Sequence, residues 1–137
     1  MEKEIQLQGN DKIEEAIAAL QKEPTEEMLA HTLTVIRRRM KENGHFIASV
    51  DQDAGDGSLK LRVLHTPDGK AWFSAFTSFE EQLKGSNPVM SAFTAKISRL
   101  FQIALESEGI EGLILNPWNR TLMLDRQLIR VIVPVHQ

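Results

Sequence analysis

Cysteine is missing from this 137-residue sequence. Its absence excludes disulfides, zinc–thiolate sites, iron–sulfur ligation and cysteine nucleophiles together, and it fits a reducing cytoplasm. Long apolar runs are missing as well. The longest, Ala16 to Leu20, has five residues, far short of the roughly 20 that a membrane-spanning helix needs. Residues 1–10 form a polar, charged tail without the apolar centre of a signal peptide. A surplus of positive charge is lacking too. The sequence has 16 Lys and Arg against 19 Asp and Glu, a net charge of −3, which argues against a general nucleic-acid binder. No internal repeat, low-complexity tract or Pro/Gly/Ser linker divides the chain. Gly-x-Ser-x-Gly, Walker and Gly-x-Gly-x-x-Gly motifs are absent.

What is present is ordinary globular composition, 42% hydrophobic and 26% charged, at the length of one domain. We expect a single domain over 1–137 with its core within about 11–133. Ile13, Ala16, Ile17 and Leu20 recur at i, i+3, i+4 and i+7, which predicts a helix over Asp11 to Gln21. Asp11 is its expected N-cap and Glu14 completes a capping box. After Pro24 a second helix is expected from Thr25 to Lys41, capped by Thr25. Leu29, Leu33, Ile36 and Met40 form its apolar stripe, and Asn43-Gly44 stops it.

The period then changes to two. Phe46, Ala48 and Val50, and later Leu59, Leu61 and Val63, alternate with their neighbours, predicting a hairpin that pairs Phe46 with Val63, Ala48 with Leu61 and Val50 with Leu59. Thr66-Pro67-Asp68-Gly69 is a tight turn, and Lys70 to Phe76 is a strand apolar on both faces, hence central. A short helix is expected from Ser78 to Leu83, capped by Thr77 or Ser78. A long one follows from Asn87-Pro88 to Ser107, with Val89, Phe93, Ile97, Leu100 and Ala104 inward. Gly112 to Leu115 and Thr121 to Leu124 are expected as partner strands around the turn Asn116-Pro117-Trp118-Asn119. Asp125 is expected to cap a last helix through Ile132, although the β-branched residues of 130–135 also suit a strand. The fold expected from these elements is α+β: a mixed, mainly antiparallel sheet of about five strands packed by helices.

Catalytic chemistry is hard to assemble from these residues. Asp51 to Gly57 matches a calcium loop only in part, with Gly55 at the fifth ligand position and Arg62 at the twelfth, so a solvated hairpin loop is the better reading. The four histidines form no metal-ligand spacing. Arg37-Arg38-Arg39 reads as a helix end that complements the dipole, with the stems of Arg37 and Arg39 lying beside the apolar stripe. Ser78 is explained better as a helix cap than as a nucleophile. No catalytic residue, metal or cofactor is therefore expected.

Two segments stand out. One runs from Asp68-Gly69-Lys70 through Phe76-Thr77-Ser78, and the other is Gly112-Leu113-Ile114-Leu115-Asn116-Pro117-Trp118. In these motifs the chain resembles the N-terminal domain of the SseB (enhanced serine sensitivity) family of bacterial proteins, over roughly Asp11 to Val133. The resemblance implies a cytoplasmic bacterial α+β domain and transfers no catalytic or binding residue. Some family members continue into a C-terminal domain; with Gln137 as the last residue, a function housed there is expected to be absent.

The expected role is a non-enzymatic protein-interaction or regulatory module. A recognition surface is expected at Phe76, Thr77, Ser78, Asn116, Pro117, Trp118 and Asn119. A tryptophan beside a proline on a tight turn is a rigid anchor, and Asn116, Asn119, Thr77 and Ser78 would supply exposed hydrogen-bonding groups around it. The expected partner is an unidentified protein, with no membrane or nucleic acid, and self-association is left open. The alternative is a small-ligand-binding or hydrolytic enzyme with a site near Ser78 and Asn116.

Overall fold

The computed structural model describes residues 7–51, 60–78, 80–81 and 91–133. Two helices, α1 (Asn10–Lys22) and α2 (Glu26–Lys41), lead into strand β1 (His45–Asp51). The chain continues through β2 (Lys60–Leu61), β3 (Val63–His65), β4 (Ala71–Phe76) and β5 (Ser91–Lys96). Helix α3 (Ile97–Glu106), strands β6 (Ile110–Leu115) and β7 (Leu122–Asp125), and helix α4 (Arg126–Ile132) complete it. The expected calcium-loop segment lies almost wholly outside the described residues, as do Leu59 and Asn87 to Val89.

The fold is α+β with a mixed sheet. Its strands run in the order β5-β1-β4-β6-β7, and β4–β6 is the parallel pair among antiparallel neighbours. The ladder between β1 and β4 is short, formed by Ile47↔Phe76 and Ala48↔Ala75. Beyond that point they splay, and residues 60–65 fill the gap. β2 pairs with the far end of β1 and β3 with the near end of β4. β4 is central as expected, and Trp72 to Phe76 are all buried.

The sheet is apolar on both faces. Phe46, Ala48, Phe73, Ala75, Leu113, Leu115, Leu122 and Leu124 share one core with inward residues of all four helices. Phe46 and Phe101 meet edge to face with centroids 6.4 Å apart, the arrangement aromatic quadrupoles prefer. Ile47, Trp72, Phe76 and Ile114 project from the opposite face and are buried too.

Several local expectations hold. Thr25 caps α2, accepting the Met28 N–H at 3.1 Å. Asn43, at φ 63°, ends it in a Schellman motif in which the N–H of Gly44 reaches Arg39 O at 2.8 Å and that of Asn43 reaches Met40 O at 3.1 Å. Asp125 caps α4 by accepting the Leu128 N–H at 2.9 Å, so residues 126–132 are helix, not strand.

Three expectations are corrected. Residues 91–96 are a strand, not part of the long helix, which begins at Ile97. A helix there would leave one edge of β1 without partners for its N–H and C=O groups; as a strand, β5 satisfies that edge from His45↔Lys96 to Val50↔Ser91. Phe93 is accordingly 42% exposed rather than a core helix residue. The hairpin is also short and its register is moved by two residues: Val50 faces Leu61, Phe46 faces Ala95, and Val63 faces Phe73. An even shift leaves each residue in the same phase of the pleat. Finally, α1 begins one residue early. Gly9, at φ 90°, is its N-cap without a side-chain bond, and Glu14 turns away from the helix end.

Gly112 marks a close approach of β6 to β7. A Cβ there would stand 2.1 Å from Leu124 O and 2.8 Å from Asp125 Cα, backbone atoms that cannot rotate away. We expect Gly112→Ala to cost about 1–3 kcal/mol, seen as a Tm lowered by several degrees in a thermal melt. The Thr66–Gly69 turn gives a second prediction. The Asp68 carboxylate accepts the Thr66 hydroxyl and, at 3.1 Å, the Lys70 N–H, and these bonds hold its pKa below the usual aspartate value. A lowered folded pKa stabilises the turn above the unfolded pKa, and the effect is lost as pH falls through the folded value. The Asp68 carbon resonance should titrate below that of a disordered aspartate, and Thr66→Val should bring the midpoint back toward it.

Candidate functional site

The two singled-out segments meet because β4 and β6 run parallel, with Ala75 beside Leu115. The residues that follow them, Thr77 and Asn116, leave the sheet side by side at its carboxyl end. The N–H of Asn116 extends the ladder to Ala75 O at 2.8 Å. Its side chain then serves Thr77 twice: Oδ1 accepts the Thr77 N–H at 2.9 Å, and Nδ2 donates to Thr77 Oγ1 at 3.1 Å. A hydroxyl has one proton, and Thr77 gives its own to Glu14 Oε2 at 2.5 Å.

The network continues in both directions. Asn10 Nδ2 donates to Thr77 O at 3.0 Å and to His45 O at 2.8 Å, and its Oδ1 accepts Arg39 Nε–H at 3.0 Å. Arg39 also pairs with Glu42 at 3.1 Å. On the other side, Arg120 bridges Glu14 at 3.5 Å and Glu81 at 3.6 Å, and Asn119 Nδ2 donates to Glu81 at 3.1 Å. Thr121 Oγ1 and the Asn119 N–H both donate to Asn116 O. Helix starts, strand ends and the 116–119 turn are thus joined by one polar network, with Asn10, Thr77, Glu81 and Asn116 at its buried centre.

Thr77 and Asn116, expected as exposed hydrogen-bonding groups, are fully buried, and Phe76 is buried with them. The reason is their position at the ends of central strands, where backbone groups cannot reach water and need side-chain partners. Trp118, by contrast, is 44% exposed. Pro117, Asn119 and Ser78 are half-buried. Ser78 Oγ accepts the Glu81 N–H at 3.2 Å, the capping role expected of it. Phe79 lies outside the described residues.

An open cleft of about 430 Å³ lies beside Thr77 and Ser78, bordered by Gly9, Asn10, Asp11, Glu14 and Glu80. No histidine is among its described lining residues. His45 and Ile47 share the face opposite the helices, whereas His65 pairs with Ala71 on the helix-bearing face. Among the described residues no three His, Asp or Glu side chains gather as metal ligands. Sequence reasoning missed Asn10, Glu14, Arg39 and Glu81 as members of the network. Their partners stand far away along the chain, and only the folded sheet brings them close.

Asn116 also occupies left-handed backbone at φ 54°. Replacing it removes two bonds to Thr77 and places a residue with a stronger steric penalty there. We expect Asn116→Ala to destabilise by about 3 kcal/mol, measured as a lower urea midpoint with an unchanged slope.

No curated protein and no solved structure matches this chain. A family match covers most of it: the model of the SseB protein N-terminal domain spans residues 13–131. These bounds run from the first buried residue of α1's stripe to the penultimate residue of α4, taking in the β4 and β6 motifs and the turn they share. The chain therefore belongs to the SseB N-terminal domain family.

Proposed function

We propose that this domain is a non-enzymatic protein-interaction or regulatory module of the bacterial cytoplasm, and that it docks a protein partner through the turn bearing Trp118. The observation that carries this reading is the exposure of Trp118, 44%, on a turn whose backbone is held by hydrogen bonds to the N–H and C=O of Asn116. An aromatic already fixed in place loses little entropy on binding, and tryptophan is favoured among the few residues that dominate interface energies. Pro117 stiffens the approach to Trp118, and Asn119 and Ser78 add polar edges. The enzyme reading has less support, because Asn116 and Thr77 are committed to each other and Ser78 to its helix cap.

The test separates docking from packing. Trp118→Ala should change the melting temperature little, since the side chain is not in the core, and should weaken partner capture by more than about 2 kcal/mol. With Trp72→Phe as background, Trp118 is the remaining tryptophan. Its emission should shift to shorter wavelength when the purified partner is added. A variant that loses several kcal/mol of stability while its folded fraction still captures the partner would refute the reading.

A further inference from the structure

A second concave surface lies on the helical side, between α1 and α2. It encloses about 360 Å³, within the range of small-molecule sites. Ala16, Ala19, Met28 and Val35 form its floor, and Lys12 and Arg38 stand on its rim. The geometry has a simple origin. Lys12, Ala16 and Ala19 follow one another at i, i+4 and i+7 along α1, and Met28, Val35 and Arg38 follow at i, i+7 and i+10 along α2. Two alanines facing the neighbouring helix leave the space that larger side chains would fill.

The charges around this floor are unequal in their commitments. Arg39 and Glu42, which also border it, are paired with each other at 3.1 Å. Of the others, Glu15 is a carboxylate and His31 an imidazole, whereas Lys12 and Arg38 are cations. Among the described residues no hydrogen bond or ion pair engages the side chain of Lys12 or Arg38. Two uncommitted cations against one carboxylate, above an apolar floor, favour a ligand with one negative head and a short apolar body. A guanidinium at the rim can bind a carboxylate with two parallel N–H bonds.

We propose that the α1–α2 groove is a binding site for a soluble, monomeric short-chain carboxylate, with its aliphatic body on Ala16, Ala19 and Val35 and its head group between Lys12 and Arg38. The site is separate from the Trp118 turn and does not depend on its role.

Octanoate, kept below its micellar concentration, is the probe, titrated into ¹⁵N-labelled full-length protein. Saturable amide shifts centred on Ala16, Ala19 and Val35 are expected. Lys12→Gln and Arg38→Gln are surface changes, and each should weaken octanoate by about tenfold, the equivalent of one charge-assisted bond. Octan-1-ol, with the same body and no charge, should bind correspondingly less well. Ala19→Phe should fill the groove and abolish the shifts while the melting temperature is held or raised. Absence of saturable shifts would overturn the proposal. So would octanol binding as tightly as octanoate, or affinity unchanged in both rim variants.

Discussion

The bond pair between Asn116 and Thr77 is the constraint on which the rest of the architecture leans. β4 and β6 run parallel at the centre of the sheet, and both chains must leave it at the same end without stranding backbone groups. One amide side chain answers for both: it takes the N–H of Thr77 and steadies the hydroxyl that Glu14 needs. Through Glu14 and Asn10 the start of α1 is fixed over the same end, and through Arg39 the end of α2 is fixed as well. The 116–119 turn is thereby determined from within the protein, and Trp118 has little choice about where it stands.

The sequence announced those parts of the fold that are decided locally. Thr25 and Asp125 each bond a backbone N–H three residues away, so their roles could be read from a few letters. The doubly apolar strand 71–76 was legible because alternation fails only where both faces are covered. What could not be read was decided by competition for strand edges. Ser91 to Lys96 carries a pattern that suits a helix continuing to Ile97, yet β1 had an edge to fill. The hairpin register was likewise set by β4, which takes Ile47 and Ala48 and diverts Val63 away from β1. At the candidate site, Ser78 caps as its local chemistry suggested, the exposure of Trp118 was a point its local sequence left open, and Thr77 and Asn116 were drawn inward by bonds to residues remote in sequence.

Arginines perform an unusual share of the joining. Arg126 reaches the carbonyls at the end of α3, with Ala104 O at 3.0 Å, and extends to Ile110 O at 2.9 Å. Arg37 binds the carbonyls of Val131 and Ile132 at the end of α4. Arg39 closes the buried network. Each guanidinium places several donors in a rigid fork where helix ends present orphan acceptors. The run Arg37-Arg38-Arg39 is thus divided by direction: Arg37 ties down the end of α4, Arg39 enters the buried network, and Arg38 faces the groove between α1 and α2.

The way β1 is enclosed bears on how the chain finds its fold. β1 gains its long ladder from β5, a segment roughly 45 residues further along, and its remaining edge from β2 and β4. The α1–α2 pair, by contrast, is built from neighbours in sequence. Loop closure must precede any reward from distant pairing, and proteins rich in such pairings cross their folding barrier more slowly. The two N-terminal helices can therefore meet early, while the outer edge of β1 stays open until residues 91–96 pair with it. Until then β1, carrying Phe46 and Ile47, offers an open edge to another molecule. β5 thus does more than lengthen the sheet: it covers the edge of β1 that would otherwise be open to another chain.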